Sequence, residues 1–120
     1  FIMIGKGADA KSPHASENLF VRKSRDLGIY EKGEFLPFVP REELSEVLNR
    51  AHVFVSPSIQ EPHGIAPREA MMCGLPVVTT ANGGVEDSIR PETGIVVPVR
   101  DPVALAKAIM KVKENFHTYN

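Results

Sequence analysis

The sequence predicts an α/β fold: a doubly wound, Rossmann-like parallel sheet with helices on both faces. Three observations lead there. Short apolar runs, among them Phe1 to Ile4, His52 to Val55 and Val77 to Thr80, have the pattern of strands buried on both sides. Segments with apolar residues at three- and four-residue spacing separate these runs, as helices require. Gly, Pro, Ser and Asp punctuate the junctions. Parallel strands joined through helices are expected to cross over right-handedly.

The first strand, Phe1 to Ile4, runs into Gly5-Lys6-Gly7. A dinucleotide fingerprint would need a third glycine, but Ala8-Asp9-Ala10 follows, so the glycines read as flexible backbone at a strand end. Ser12-Pro13 opens a helix running to Leu27 with Gly28 as its stop, and Ala15, Leu19, Phe20 and Leu27 are expected inward. Its Arg22, Lys23 and Arg25 suit a solvated helix face. Gly33 to Val39 reads as a short strand whose pairing ends at Pro37, which cannot donate to a ladder. Pro40 and Glu42-Glu43 start a helix whose Leu44, Val47, Leu48 and Ala51 share one face. His52 to Val55 is the next strand, closed by Ser56-Pro57-Ser58. A loop through Gly64 leads to a helix of Ala66 to Cys73, with Gly74 as its stop and Pro76 as a barrier. Val77 to Thr80 is a β-branched strand, and Asn82-Gly83-Gly84 turns into a helical segment near Val85 to Ile89. After the last strand, Ile95 to Val97, Asp101-Pro102 caps a helix with Leu105, Ile109, Val112 and Phe116 in one stripe.

A chain of 120 residues, 42% of them hydrophobic, is expected to bury one core and form a single domain over 1–120. Fourteen basic and fifteen acidic residues give a net charge of -1. Nothing here attracts nucleic acid or an anionic membrane in general, so an anion has to be held by local geometry. The lone Cys73 excludes an internal disulfide and fits a reducing, cytoplasmic compartment. No apolar run approaches the ~18 residues of a transmembrane segment. Phe1 opens inside an apolar strand with no initiator Met, which points to a piece of a longer protein.

Function is expected within Val53 to Gly84. Ligands of parallel sheets bind beyond the carboxyl ends of the strands, and the loops after Ile4, Phe35, Val55 and Thr80 fall on that rim. A helix beginning at Gly64-Ile65-Ala66 presents backbone N–H groups and a positive dipole end, suited to a phosphate or carboxylate. Gly64 lets a ligand approach the backbone, whereas Pro67 removes one donor. Glu61 and Glu69 flank this helix start. Paired carboxylates serve as general acid and base or nucleophile, or accept hydrogen bonds from hydroxyls, and their spacing in sequence leaves both readings open. His63, Ser58 and Gly5 are candidates to line the pocket. His14, His52, His63 and His117 lack ligand spacing, and no Asp-x-Asp pair is present, so neither a metal nor another cofactor is expected.

Several motifs then resemble one family. They are Ser-Pro-Ser at 56 to 58, Glu61-Pro62-His63-Gly64-Ile65, Glu69-Ala70-Met71, Gly74-Leu75-Pro76-Val77-Val78 and Asn82-Gly83-Gly84, with Ile4-Gly5-Lys6-Gly7 before them and Thr93-Gly94-Ile95 after. Together they are similar to the carboxyl-terminal domain of retaining glycosyltransferases with the GT-B fold: glycosyltransferase family 4, or glycosyl transferases group 1. The resemblance implies one half of a GT-B fold that binds a nucleotide-sugar donor, itself a substrate. It implies that Glu69 accepts hydrogen bonds from the ribose and that Glu61 lies at the donor sugar and reacting centre. Amides of Gly64, Ile65 and Ala66 would meet the diphosphate or sugar. Leu36, Phe38 and Val39 would edge the base, and Gly83 and Gly84 would give the sugar close backbone access.

Two departures stand out. Pro67 occupies a position that is commonly apolar in the family, and Asp87 stands where Glu is frequent. The family's diphosphate-neutralising Arg and Lys, and its acceptor-binding amino-terminal domain, would precede Phe1. The expected function is donor binding for a retaining, metal-independent hexosyltransferase acting on a sugar, lipid or small-molecule acceptor, peripheral to a membrane in its full-length form if at all. The isolated chain is expected to be inactive. Two other readings remain open at this point: a sugar-nucleotide epimerase of the same architecture, and a non-catalytic nucleotide-binding or interaction domain.

Overall fold

The strand-forming runs become five short strands among the described residues, which are 1–4, 19–36, 38–60 and 65–119 of this computed structural model. Strands β1 (Ile2–Ile4), β2 (Glu34–Leu36), β3 (Phe54–Ser56), β4 (Val77–Thr80) and β5 (Gly94–Val97) alternate with helices α1 (Leu19–Asp26), α2 (Arg41–Asn49), α3 (Ile65–Met72) and α4 (Pro102–Glu114). Every ladder is parallel. β1 pairs with β2 in a two-stranded sheet, and a three-stranded sheet has the order β3-β4-β5. The chain divides into two compact units, Phe1–Glu43 and Leu44–Asn120.

In the first unit, Phe35 of β2 sits between two rings. Phe1 meets it edge-on at 5.6 Å and Tyr30 stacks on it at 5.5 Å, with the Arg25 guanidinium 4.5 Å from the Tyr30 ring centre. Helix α1 stops at Gly28 as expected. With φ of 72°, Gly28 donates to the Arg25 carbonyl while Ile29 donates to that of Ser24, the paired bonds of a Schellman motif. Its buried face differs from expectation: Val21 and Ser24 are buried, whereas Phe20 and Leu27 are 52% and 61% exposed. Leu27 lies past the last helical residue and is carried outward by the glycine turn. The Ser24 hydroxyl tolerates burial because it donates to the Val21 carbonyl at 2.6 Å.

The second unit is built on β4, whose four residues are all buried. Successive side chains of a strand point to opposite faces, and its first two residues, Val77 and Val78, supply two cores. Val77 packs with Leu48 of α2, Ala70 of α3 and Leu75. Val78 packs with Val97 of β5 and with Ala108 and Val112 of α4. This sheet is therefore covered on both sides, and each fully buried valine contributes about 1.5–3 kcal/mol of transfer free energy.

Local chemistry sets the ends of these elements. Asp101 caps α4 by accepting from the Ala104 amide at 2.9 Å, with Pro102 in the first turn where its missing N–H costs nothing. Helix α4 stops at Glu114, so Phe116, expected on its apolar stripe, falls in a following 3-10 turn and is 39% exposed. Gly74, with φ of 81°, ends α3 by a second Schellman pair, to the carbonyls of Met71 and Ala70.

Gly94 has a different constraint. A Cβ there would run into the carbonyl oxygen of Val77, its partner in the β4–β5 ladder. Gly74→Ala should cost about 1 kcal/mol through its backbone angle alone, since open space surrounds it. Gly94→Ala should cost about 3 kcal/mol or more, because two backbones must separate. Urea denaturation midpoints of the two variants check the order.

Candidate functional site

The carboxyl ends of β3 and β4 meet through side chains. Thr80, the last residue of β4, donates its hydroxyl hydrogen toward the carbonyls of Ser56, which ends β3, and of Ser58 just beyond it. Beyond Thr80 the chain makes a tight turn, with the Asn82 amide donating to the Thr80 carbonyl at 2.8 Å. The Asn82 side chain is only 4% exposed. Its amide nitrogen donates back to the hydroxyls of Thr79 and Thr80, both at 3.3 Å, and its oxygen accepts from the Gly84 amide at 2.9 Å. The last contact is an Asx turn, a habit of asparagine ahead of glycine.

The loop Gly83–Gly84 is held at further points. Gly83 has φ of 87°, a backbone angle that favours glycine. Its amide donates to both carboxylate oxygens of Glu86, at 2.9 and 3.1 Å. From α3, Arg68 donates to the Gly84 carbonyl and to the Ser88 hydroxyl, each at 3.3 Å. Both glycine amides are thus committed within the chain, and the loop offers a ligand close access more than spare donors.

Helix α3 spans Ile65–Met72, one residue earlier at each end than the expected Ala66 to Cys73. The Ile65 and Ala66 amides have no acceptor inside the helix, and Pro67 contributes no donor. Ala66 is exposed and Pro67 buried. The proline ring thus fills an inward position on α3. Glu69 is half-buried one turn after Ile65.

Ile65, Ala66, Glu69, Gly83 and Gly84 all lie in the second unit, where Arg68 of α3 bonds to the Gly84 carbonyl. Ser58 is half-buried, its carbonyl engaged by Thr80. In the first unit, Leu36 ends β2 half-buried, Phe38 is 78% exposed and Val39 is half-buried. Glu61, His63, Gly64 and Gly5 lie outside the described residues. Among the described residues, no three His, Cys, Asp or Glu side chains gather as a metal site. No helix is long and apolar enough to cross a membrane. A shallow cavity of about 150 Å³ opens beside the strand ends, lined by Pro57, Thr80, Arg100, Asp101, Pro102 and Leu105.

Two residues of this region escaped sequence reasoning. Glu86 carried a signal: a carboxylate three residues after a backbone N–H is the reaching-back half of a capping box. Arg68 carried none, because its partners lie 16 and 20 residues away. For the loop, Asn82→Ala should cost about 2–3 kcal/mol, since it deletes an amide that answers two buried hydroxyls and the Gly84 amide. Thermal and urea unfolding measure this, and a loss below 0.5 kcal/mol would show the network to be dispensable.

Known glycosyltransferases match the chain in sequence and in fold. The family described as Glycosyl transferases group 1 matches residues 1–120. A D-inositol 3-phosphate glycosyltransferase of Mycobacteroides abscessus is 38% identical over 106 residues, covering 88% of this chain and 23% of that protein. An uncharacterised glycosyltransferase of Methanocaldococcus jannaschii is 39% identical over 87 residues, covering 72% of this chain and 22% of its own length. Among solved structures, sucrose-phosphate synthase from Thermosynechococcus elongatus superposes with a TM-score of 0.82 at 31% identity, over 98% of this chain and 30% of that one. The chain thus spans about a quarter of the length of these curated relatives. Its strand–helix order, parallel ladders and whole-length family match all agree: the chain belongs to the Glycosyl transferases group 1 family and has the α/β, Rossmann-like fold of GT-B glycosyltransferases.

Proposed function

We propose that residues 1–120 are the nucleotide-sugar donor-binding domain of a retaining, metal-independent hexosyltransferase. The observation that carries this reading is the start of α3. The Ile65 and Ala66 amides of the first helical turn, Glu69 one turn later and the glycine loop tied to the same helix by Arg68 offer three surfaces of different chemistry. They suit the diphosphate, the ribose hydroxyls and the sugar of one donor respectively.

In this mechanism the helix amides and dipole receive the charge that builds on the departing diphosphate. Glu69 accepts from the ribose hydroxyls. The committed amides of Gly83 and Gly84 give the loop a fixed shape against which the sugar rests. Glu61 is assigned the reacting carbon in this reading. Other residues of a longer protein supply the acceptor surface and the cations that neutralise the diphosphate, so the 120-residue chain alone turns over no substrate. The relatives named for D-inositol 3-phosphate make a phosphorylated polyol the first acceptor to assay.

In the full-length protein, Glu61→Gln should lower kcat by about 100-fold or more while nucleoside diphosphate affinity changes less than about twofold. Glu69→Ala should instead raise the donor KM by about tenfold. Unchanged turnover in Glu61→Gln sinks its assignment, and an unchanged donor KM in Glu69→Ala sinks the ribose contact.

A further inference from the structure

Arg68 has no role in the donor-binding reading, yet it is the described side chain that reaches from α3 to the glycine loop. It is exposed on α3, next in sequence to Glu69. Its two terminal nitrogens separate their tasks: Nη1 donates to the Ser88 hydroxyl and Nη2 to the Gly84 carbonyl. A guanidinium holds two acceptors in one plane, which a flexible ammonium does not. Among the described residues, the other side-chain bonds that hold this loop come from its own strand end and the turn that follows. Asn82 ties Gly84 to the end of β4, and Glu86 ties Gly83 to the following turn. Without Arg68, no described hydrogen bond would join α3 to residues 83–88.

We infer that Arg68 is a positioning residue, setting the distance between the α3 surface that receives the nucleotide and the Gly83–Gly84 loop that receives the sugar. The inference rests on the donor-binding reading above. Its consequence is a split between ligands. A nucleoside diphosphate touches only the α3 surface and is indifferent to the loop. A nucleotide sugar spans both, and its sugar pays for any drift between them. Arg68 acts here through backbone and hydroxyl contacts, so its removal does not withdraw a charge from the diphosphate.

The test uses the full-length protein and Arg68→Met, which keeps the stem and removes both hydrogen bonds, alongside Arg68→Lys. UDP, GDP and ADP, and UDP-glucose, GDP-mannose and ADP-glucose, are titrated calorimetrically, with thermal unfolding run in parallel. Arg68→Met should weaken the nucleotide sugar that wild type prefers by about three- to tenfold, as expected for one or two lost hydrogen bonds. It should leave the matching nucleoside diphosphate within about twofold and barely move the Tm, because the residue is exposed. Arg68→Lys should recover only part of the loss. Equal weakening of both ligands overturns the inference by making Arg68 a diphosphate contact, and unchanged sugar affinity overturns it outright. A wild-type protein that binds none of the six ligands removes the donor-binding reading and this inference with it. Wild-type binding with an unaffected Arg68→Met removes this inference alone.

Discussion

The buried carboxamide of Asn82 is the constraint on which the site geometry depends. A polar group at 4% exposure is costly unless its donors and acceptor are used. Here they are used, by two threonine hydroxyls on the strand side and one glycine amide on the loop side. Its net stabilisation is modest, because water would also satisfy it in the unfolded chain. Its larger effect is on shape: within the low dielectric of the strand end, few other arrangements satisfy every partner. Asn82 thereby joins the most buried strand to the most backbone-rich loop.

That junction is firm because β4 is firm. Val77 and Val78 face opposite cores, so displacing β4 would disturb packing against α2 and α3 on one side and α4 on the other. Gly94 lets β5 close against β4, where a side chain would meet the Val77 carbonyl. The loops at the carboxyl ends inherit their positions from this packing, the usual relation between a rigid scaffold and the loops that carry function. Thr80 extends the arrangement to β3 by binding the Ser56 and Ser58 carbonyls, and Arg68 extends it to α3.

Much of this was legible in the sequence wherever the determinant was local. Gly28 and Gly74 mark the stops of α1 and α3 through left-handed backbone angles, and Asp101-Pro102 marks the start of α4. The Asn82-Gly83-Gly84 turn is written in residue types that favour it. What stayed hidden depends on tertiary partners. The inward face of α1 is Val21 and Ser24, not Phe20 and Leu27, because Leu27 belongs to the turn beyond the helix. Phe116 continues the spacing of α4 but not its backbone, which leaves the α-helix after Glu114. Periodicity also identified strands without saying which pair, and the ladders group them two and three. At α3, the helix itself was readable to within a residue at each end, whereas Arg68 joins residues that no local pattern connects.

Amide hydrogen exchange of the full-length protein, with and without its preferred nucleotide sugar, tests the role of α3 most directly. A donor platform built on the helix start requires slowed exchange across Ile65 to Glu69 on binding, with α4 from Ala104 onward unchanged. Unaltered exchange at Ile65 to Glu69 while ligand is demonstrably bound would contradict it, and would place the nucleotide elsewhere on the protein.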